Sequence, residues 1–123
     1  MKNESLARSF GNAVQGLRDT LSRERNFRIH IAMGILAVAA CVVLRVEVYL
    51  FVWTLFAVFG VLAAELFNSS VEALTDLVCG EKKHPLAKIA KDAAAAAVLV
   101  TAVQAVAVAF VVAFTVIRGA VNG

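Results

Sequence analysis

The sequence has little charge and almost no proline. Only 17% of its 123 residues are Asp, Glu, Lys or Arg, and Pro85 is the single proline. Apolar residues make up 61% of the chain and the mean hydropathy is +0.82. Because so few polar residues cannot cover a small soluble domain, the composition favours a membrane protein. The net charge of +3 is clustered, which suits an anionic membrane face or a phosphate ligand better than nucleic acid, so we expect no nucleic-acid partner.

Cysteine is also scarce, and the common sequence motifs of soluble enzymes are missing. Cys41 lies inside an apolar run and Cys79 at a predicted helix end, so a disulfide would require opposite ends of the membrane to meet. We therefore expect reduced thiols.

The N-terminal segment is polar and lacks a central apolar block, so we expect no cleavable signal. Gly11 and Gly16 have the spacing of a phosphate-binding loop but lack its Lys-Ser/Thr, and no zinc spacing or nucleophile elbow is present.

The apolar pattern predicts an all-α membrane protein with one domain over residues 1–123. Residues 5–22 carry apolar side chains at 3.6-residue spacing opposite a basic polar face, which is typical of a helix lying in the membrane interface. The alternative is an ordinary helix packed on a soluble core. Three membrane spans are predicted at 29–45, 48–78 and 86–118. Alanines at every fourth position of the third span predict close helix packing and an oligomer.

The basic residues predict the orientation of the chain. Ten of the twelve Lys and Arg residues, Lys2 included, precede the first span or lie in the loop between the second and third spans. Only Arg45 and Arg118 fall on the other side. The positive-inside rule then predicts a cytoplasmic N-terminus, a cytoplasmic 76–92 loop and a C-terminus outside.

Polar side chains share one face of the second helix where it leaves the apolar run. At about 100° per residue, Asn68, Ser69, Glu72 and Asp76 all fall within roughly 60° of Glu65. Carboxylates with an amide suit Mg²⁺, which binds oxygen ligands together with phosphate and water. Glu65 lies deepest and could accept the proton of a lipid alcohol. Phosphoryl transfer needs a metal ion, a group that binds phosphate and a positioned base, and the polar face could supply them.

Two functions remain open from the residues alone. The predicted topology also brings Glu24 and Lys91 to this interface, where a lysine can bind phosphate. An acid directly after a long apolar run is costly and usually functional, although polar residues at a helix end often form only a solvated face. A phosphoryl-transfer site and a small oligomeric ion carrier with Glu65 as its intramembrane ligand both fit. His30 and His84 are far apart in sequence, and each is expected to be an interface residue.

The segment 65–76 (ELFNSSVEALTD) resembles the E-x-x-N-[ST]-A-[IV]-E-x-x-x-D signature of the bacterial integral-membrane diacylglycerol kinases. Residues 90–93 (AKDA) match a second signature of that family, and 16–18 (GLR) and 24–28 (ERNFR) match its N-terminal part. The resemblance covers nearly the whole chain. The segments beginning at Glu24 and at His84 are similar to the Gram-positive-type branch, whose members resemble undecaprenol kinases.

The resemblance implies a homotrimer of three-span subunits in the bacterial cytoplasmic (inner) membrane, with active sites shared between subunits. ATP would be the co-substrate with Mg²⁺, and its γ-phosphoryl group would pass directly to undecaprenol or diacylglycerol. In that family the loop before the third span is usually shorter and often contains an aromatic residue, whereas this chain has Lys82 and Lys83 there. The residue that would contact the adenine of ATP is therefore not identified. The implied roles are general base for Glu65; metal ligands for Glu24 and Glu72; nucleotide binding for Asn68, Glu72, His84, Lys91 and Asp92; lipid binding for Arg18, Asn26, Arg28 and Glu65; and support for Ser69 and Asp76.

Overall fold

The computed structural model describes residues 5–123, and Lys2, which contributed to the predicted orientation, lies outside them. Four helices make up this part of the chain: α1 (Leu6–Arg23), α2 (Arg25–Val43), α3 (Val48–Cys79) and α4 (Pro85–Asn122). The last three are each long and apolar enough to cross a membrane. The prediction of an all-α chain with three long apolar helices is confirmed.

A single extended residue, Glu24, separates α1 from α2. Helix α2 therefore begins at Arg25, ahead of the predicted start of the first span at residue 29. Two carbonyl groups at the end of α1 are satisfied from α2. The Arg28 guanidinium donates to the carbonyl oxygens of Leu21 and Ser22 at 2.9 and 3.1 Å. These carbonyls belong to the last turn of α1, where intrahelical partners are missing.

Helix α3 is the central helix, since it contacts each of the other three. Its buried residues recur at three- and four-residue spacing, so they form one face of the helix. That face is Leu50, Thr54, Ala57, Val61, Ala64 and Glu65. Helix α2 approaches closely where Gly34 is buried, because a Cβ added there would lie 2.6 Å from Cγ1 of Val58.

Short connections set the ends of α3. Arg45, with φ of 50°, lies in the turn before it, and Gly80, with φ of 56°, ends it. Glycine accepts a positive φ without the steric cost that a Cβ brings. Helix α4 begins at Pro85, whose fixed φ suits a first helical turn, and extends past the predicted end at residue 118. No residue of α4 is fully buried within one chain, although α4 packs along α3, and much of its apolar surface stays exposed.

Candidate functional site

The polar face of α3 turns from the interior of the bundle toward solvent as the helix proceeds. Exposure rises along this face from the buried Glu65 through the half-buried Asn68, Ser69 and Glu72 to the exposed Asp76. On the other side, Phe67 and Leu77 are 74% and 81% exposed. The structure thus keeps one acid inside the bundle and aligns the remaining polar groups toward the end of the helix.

The Glu65 carboxylate contacts a histidine of the neighbouring helix. Glu65 is only 4% exposed, and its Oε1 lies 3.2 Å from Nε2 of His30 on α2. A carboxylate removed from water is costly unless a hydrogen-bond donor or a cation accompanies it. The imidazole of His30 is the polar group that accompanies the buried carboxylate in the apolar bundle.

One helical turn beyond Glu65, Asn68 presents a buried amide oxygen. Its Oδ1 has no hydrogen-bond partner within residues 5–123. Buried polar atoms in folded proteins nearly always have a partner, so each exception calls for a ligand, an ion or water to complete it. Asn68 lies between Glu65 and Glu72 on the polar face, and a cation or a donating water is the kind of partner that its amide oxygen can take.

A cavity of about 700 Å³ lies at the turn between α3 and α4. Two ion pairs line it: Nζ of Lys91 lies 2.6 Å from Oδ1 of Asp76, and Lys88 pairs with Asp92. His84 also lines the cavity, and its Nδ1 accepts a hydrogen bond of 3.1 Å from the amide of Leu86 at the start of α4. The structure therefore brings four of the predicted site residues, Asp76, His84, Lys91 and Asp92, to one polar cavity.

A second, apolar groove of about 590 Å³ runs between α1, α2 and α3. Leu17 of α1, Phe27 of α2 and Phe59 of α3 line it, as does Leu66, the residue next to Glu65. Arg18 is the one charged residue in the lining. A groove of this chemistry suits a hydrocarbon chain whose polar end lies near a guanidinium group.

The remaining predicted residues lie near the junction of α1 and α2. Glu24 is half-buried there, whereas Asn26 and Arg28 are exposed. Within residues 5–123, no three His, Cys, Asp or Glu side chains come together as a metal-binding group. Mg²⁺ commonly binds one or two carboxylates together with substrate phosphates and water. The two predicted ligands lie on different elements: Glu24 at the junction of α1 and α2, and Glu72 on the polar face of α3.

Sequence reasoning missed two residues of this region. His30 was expected only at the membrane interface, because no sequence pattern sets the register of α2 against α3 and so pairs His30 with Glu65. Lys88 was not assigned a role. Its signal was available, since Lys88 and Asp92 have the i, i+4 spacing of helical ion pairs.

The chain matches a known protein family. Residues 11–113 match the family model for prokaryotic diacylglycerol kinase. The chain is 42% identical to the undecaprenol kinase of Bacillus subtilis, over 78% of this chain and 77% of that protein. It is 33% identical to the diacylglycerol kinase of Escherichia coli K12, over 82% of each chain. The diacylglycerol kinase of Synechocystis is 38% identical over 85% of this chain, and that alignment spans 59% of the cyanobacterial protein.

The family match covers most of the chain and includes the polar face of α3. The relatives are kinases, and three helices suited to crossing a membrane accompany that match. The resemblance noted in the sequence is thereby confirmed. The chain is a membrane protein that belongs to the prokaryotic diacylglycerol kinase family, a family of enzymes that transfer phosphoryl groups to alcohols.

Proposed function

We propose that this protein is an ATP- and Mg²⁺-dependent kinase that phosphorylates a long-chain lipid alcohol, either undecaprenol or diacylglycerol. The observation that carries the proposal is the placement of Glu65. Its carboxylate is buried with Oε1 3.2 Å from Nε2 of His30, and the next residue, Leu66, lines the apolar groove. A lipid chain in that groove would bring its hydroxyl group to the deepest acid of the polar face.

Glu65 acts in this proposal as the general base. It accepts the proton of the lipid hydroxyl while the hydroxyl oxygen forms a bond to the γ-phosphorus of ATP. The bond from that phosphorus to the bridging oxygen breaks, and its electron pair leaves with ADP. Direct in-line transfer of this kind needs positioning and charge stabilisation and no covalent enzyme intermediate. Arg18, at the wall of the groove, together with Asn26 and Arg28, would line the path by which the lipid reaches the site.

The polar cavity between α3 and α4 is the proposed nucleotide site. Lys91 would exchange its pairing with Asp76 for the phosphates, as a lysine can bind phosphate by charge alone. Asn68, with its unpartnered amide oxygen, and Asp92 would order the same region, supported by Ser69. His84 lies at the cavity wall, where the nucleoside would be placed.

Glu24 and Glu72 would hold the Mg²⁺ of the nucleotide complex. That metal supplies charge neutralisation on the phosphate oxygens, which is its usual role in phosphoryl transfer. Both side chains are half-buried carboxylates, so each can present an oxygen to a cation while part of the coordination shell stays with water and phosphate.

The proposal includes a homotrimer in the bacterial inner membrane with α1 lying in the interface. Exposed Leu6 and Phe10, at 88% and 72%, would insert among lipid chains. Helix α4, which has no fully buried residue within one chain, would pack against neighbouring subunits through its small residues. The N-terminus and the 76–92 loop would face the cytoplasm, on the side of ATP, and the C-terminus would lie outside.

The test is transfer of the labelled γ-phosphoryl group of ATP by purified protein in mixed micelles of detergent and lipid. Diacylglycerol and undecaprenol are supplied separately and then in competition, and label in the organic extract is measured with and without Mg²⁺. We expect Mg²⁺-dependent label in at least one lipid, and the competition identifies the preferred acceptor. Absence of label in both lipids, together with ion flux in proteoliposomes, would favour the ion-carrier alternative instead.

A further inference from the structure

The contact between α2 and α3 at Glu65 holds a second titratable side chain. His30 lies near the start of α2 with 24% of its side chain exposed, against 6% for the side chain of Glu65. The imidazole is therefore the more accessible partner of the buried carboxylate. Neither composition nor helical periodicity assigns this histidine a function.

The proposed role of Glu65 determines which atom of the contact would carry a proton. A general base must be ionised before the reaction, and an ionised carboxylate can only accept hydrogen bonds. In the proposed reaction the donor is therefore Nε2 of His30, 3.2 Å from Glu65 Oε1. Pairing through Oε1 would leave the second carboxylate oxygen, Oε2, able to accept the proton of the lipid.

We infer that His30 is a positioning residue for the general base. Nε2–H holds Oε1 of Glu65 so that Oε2 faces the hydroxyl group of the lipid. This inference rests on the proposed function, since it assigns to His30 the orientation of a base whose role is itself proposed. An activated base is commonly oriented by a third group in this way, and the third group need not touch the substrate.

The geometry separates the roles of the two residues in the reaction. The lipid O–H bond breaks and its proton moves to Glu65 Oε2, while the oxygen attacks the γ-phosphorus and ADP leaves. His30 keeps its own proton throughout, and its hydrogen bond persists when Glu65 becomes neutral. Loss of His30 should therefore slow the chemical step and leave nucleotide binding unchanged.

Two substitutions separate positioning from packing. His30→Gln keeps an N–H donor at a reach close to that of Nε2, whereas His30→Met keeps similar bulk without a donor. We expect His30→Met to lower kcat by about ten- to a hundredfold, as loss of a charge-assisted hydrogen bond would, with the KM for ATP unchanged. His30→Gln should restore most of the rate. Equal rates for the two variants, or an unchanged kcat in His30→Met, would overturn the inference.

Coupling to Glu65 gives a second kinetic criterion. In a Glu65→Gln background, His30→Met should cause no further loss of residual activity, because the base it orients is already absent. Additive losses would contradict the positioning role. Thermal midpoints of all variants in detergent show whether a loss of rate is a loss of fold.

The protonation of His30 can be observed without any activity. In protein with ¹⁵N-labelled histidine, the imidazole resonances of His30 should show a protonated Nε2, and Glu65→Gln should shift them. A bare Nε2 would overturn the inference whether or not the protein phosphorylates a lipid. Conversely, a protonated Nε2 in a protein that transfers no phosphoryl group to either lipid would remove the proposed function and leave the contact standing.

Discussion

Replacement of Glu65 by Gln should remove turnover while leaving the fold intact. The amide has nearly the shape of the carboxylate, and its oxygen can keep the contact with Nε2 of His30, 3.2 Å from Oε1 of Glu65. Glu65 is 4% exposed, so the substitution also removes the desolvation cost of a buried charge. We therefore expect the thermal midpoint in detergent to stay the same or to rise.

The expected loss of rate follows because the Gln amide cannot accept the proton of the lipid hydroxyl. General base catalysis contributes about 10²- to 10⁴-fold, which corresponds to about 2.7 to 5.4 kcal/mol in the activation barrier. The assay is initial-rate transfer of labelled phosphoryl from ATP to lipid in mixed micelles at saturating substrates. Glu47→Gln is the matched control, since Glu47 lies at the opposite end of α3, is exposed and makes no side-chain cap. The reasoning is refuted if Glu65→Gln retains activity within a few-fold of the control.

Three further predictions concern the metal, the packing and the assembly. Glu72→Gln should raise the Mg²⁺ concentration for half-maximal activity by about tenfold or more, as loss of a metal ligand would, and an unchanged Mg²⁺ titration would count against the ligand assignment. Gly34→Ala should lower stability in detergent by about 1 to 3 kcal/mol relative to Gly60→Ala, because its Cβ would lie 2.6 Å from a facing valine methyl, whereas nothing lies within 4 Å at Gly60. Both glycines lie within helices, so the gain in helix propensity cancels in this comparison, and equal midpoints would contradict the packing. Co-assembled subunits carrying Glu24→Gln and Glu65→Gln, assayed at a limiting Mg²⁺ concentration where each variant alone should be inactive, should recover part of the activity, and recovery no greater than the sum of the separate variants would argue against shared sites.

The helices were predictable because their signal is local. Apolar runs predicted three spans, the first of them short for a bilayer and the third comfortably long enough, and the structure has three long apolar helices. The start of α2 at Arg25 was not predictable in the same way. Its first turns are charged, and Arg28 there reaches back to the carbonyls of α1, a contact that no hydropathy pattern encodes.

One part of the candidate site follows from a single helix, and the other part depends on how two helices pack. Helical geometry alone placed Glu65, Asn68, Glu72 and Asp76 on one face, because residues on one helix share a fixed angular spacing. The contact of His30 with Glu65 depends on how α2 packs against α3, including the close approach at the buried glycine of α2. Such register is decided by side-chain packing between helices and is not visible in either helix by itself.

The stereochemical course at phosphorus tests the central claim most directly. ATP made chiral at its γ-phosphorus with oxygen isotopes is incubated with the protein and the preferred lipid, and the configuration of the phosphorylated product is determined. Direct transfer from ATP to the lipid alcohol, with Glu65 as base, predicts inversion. Retention would require an intermediate on the enzyme, and the absence of any phosphorylated lipid would contradict the kinase assignment itself.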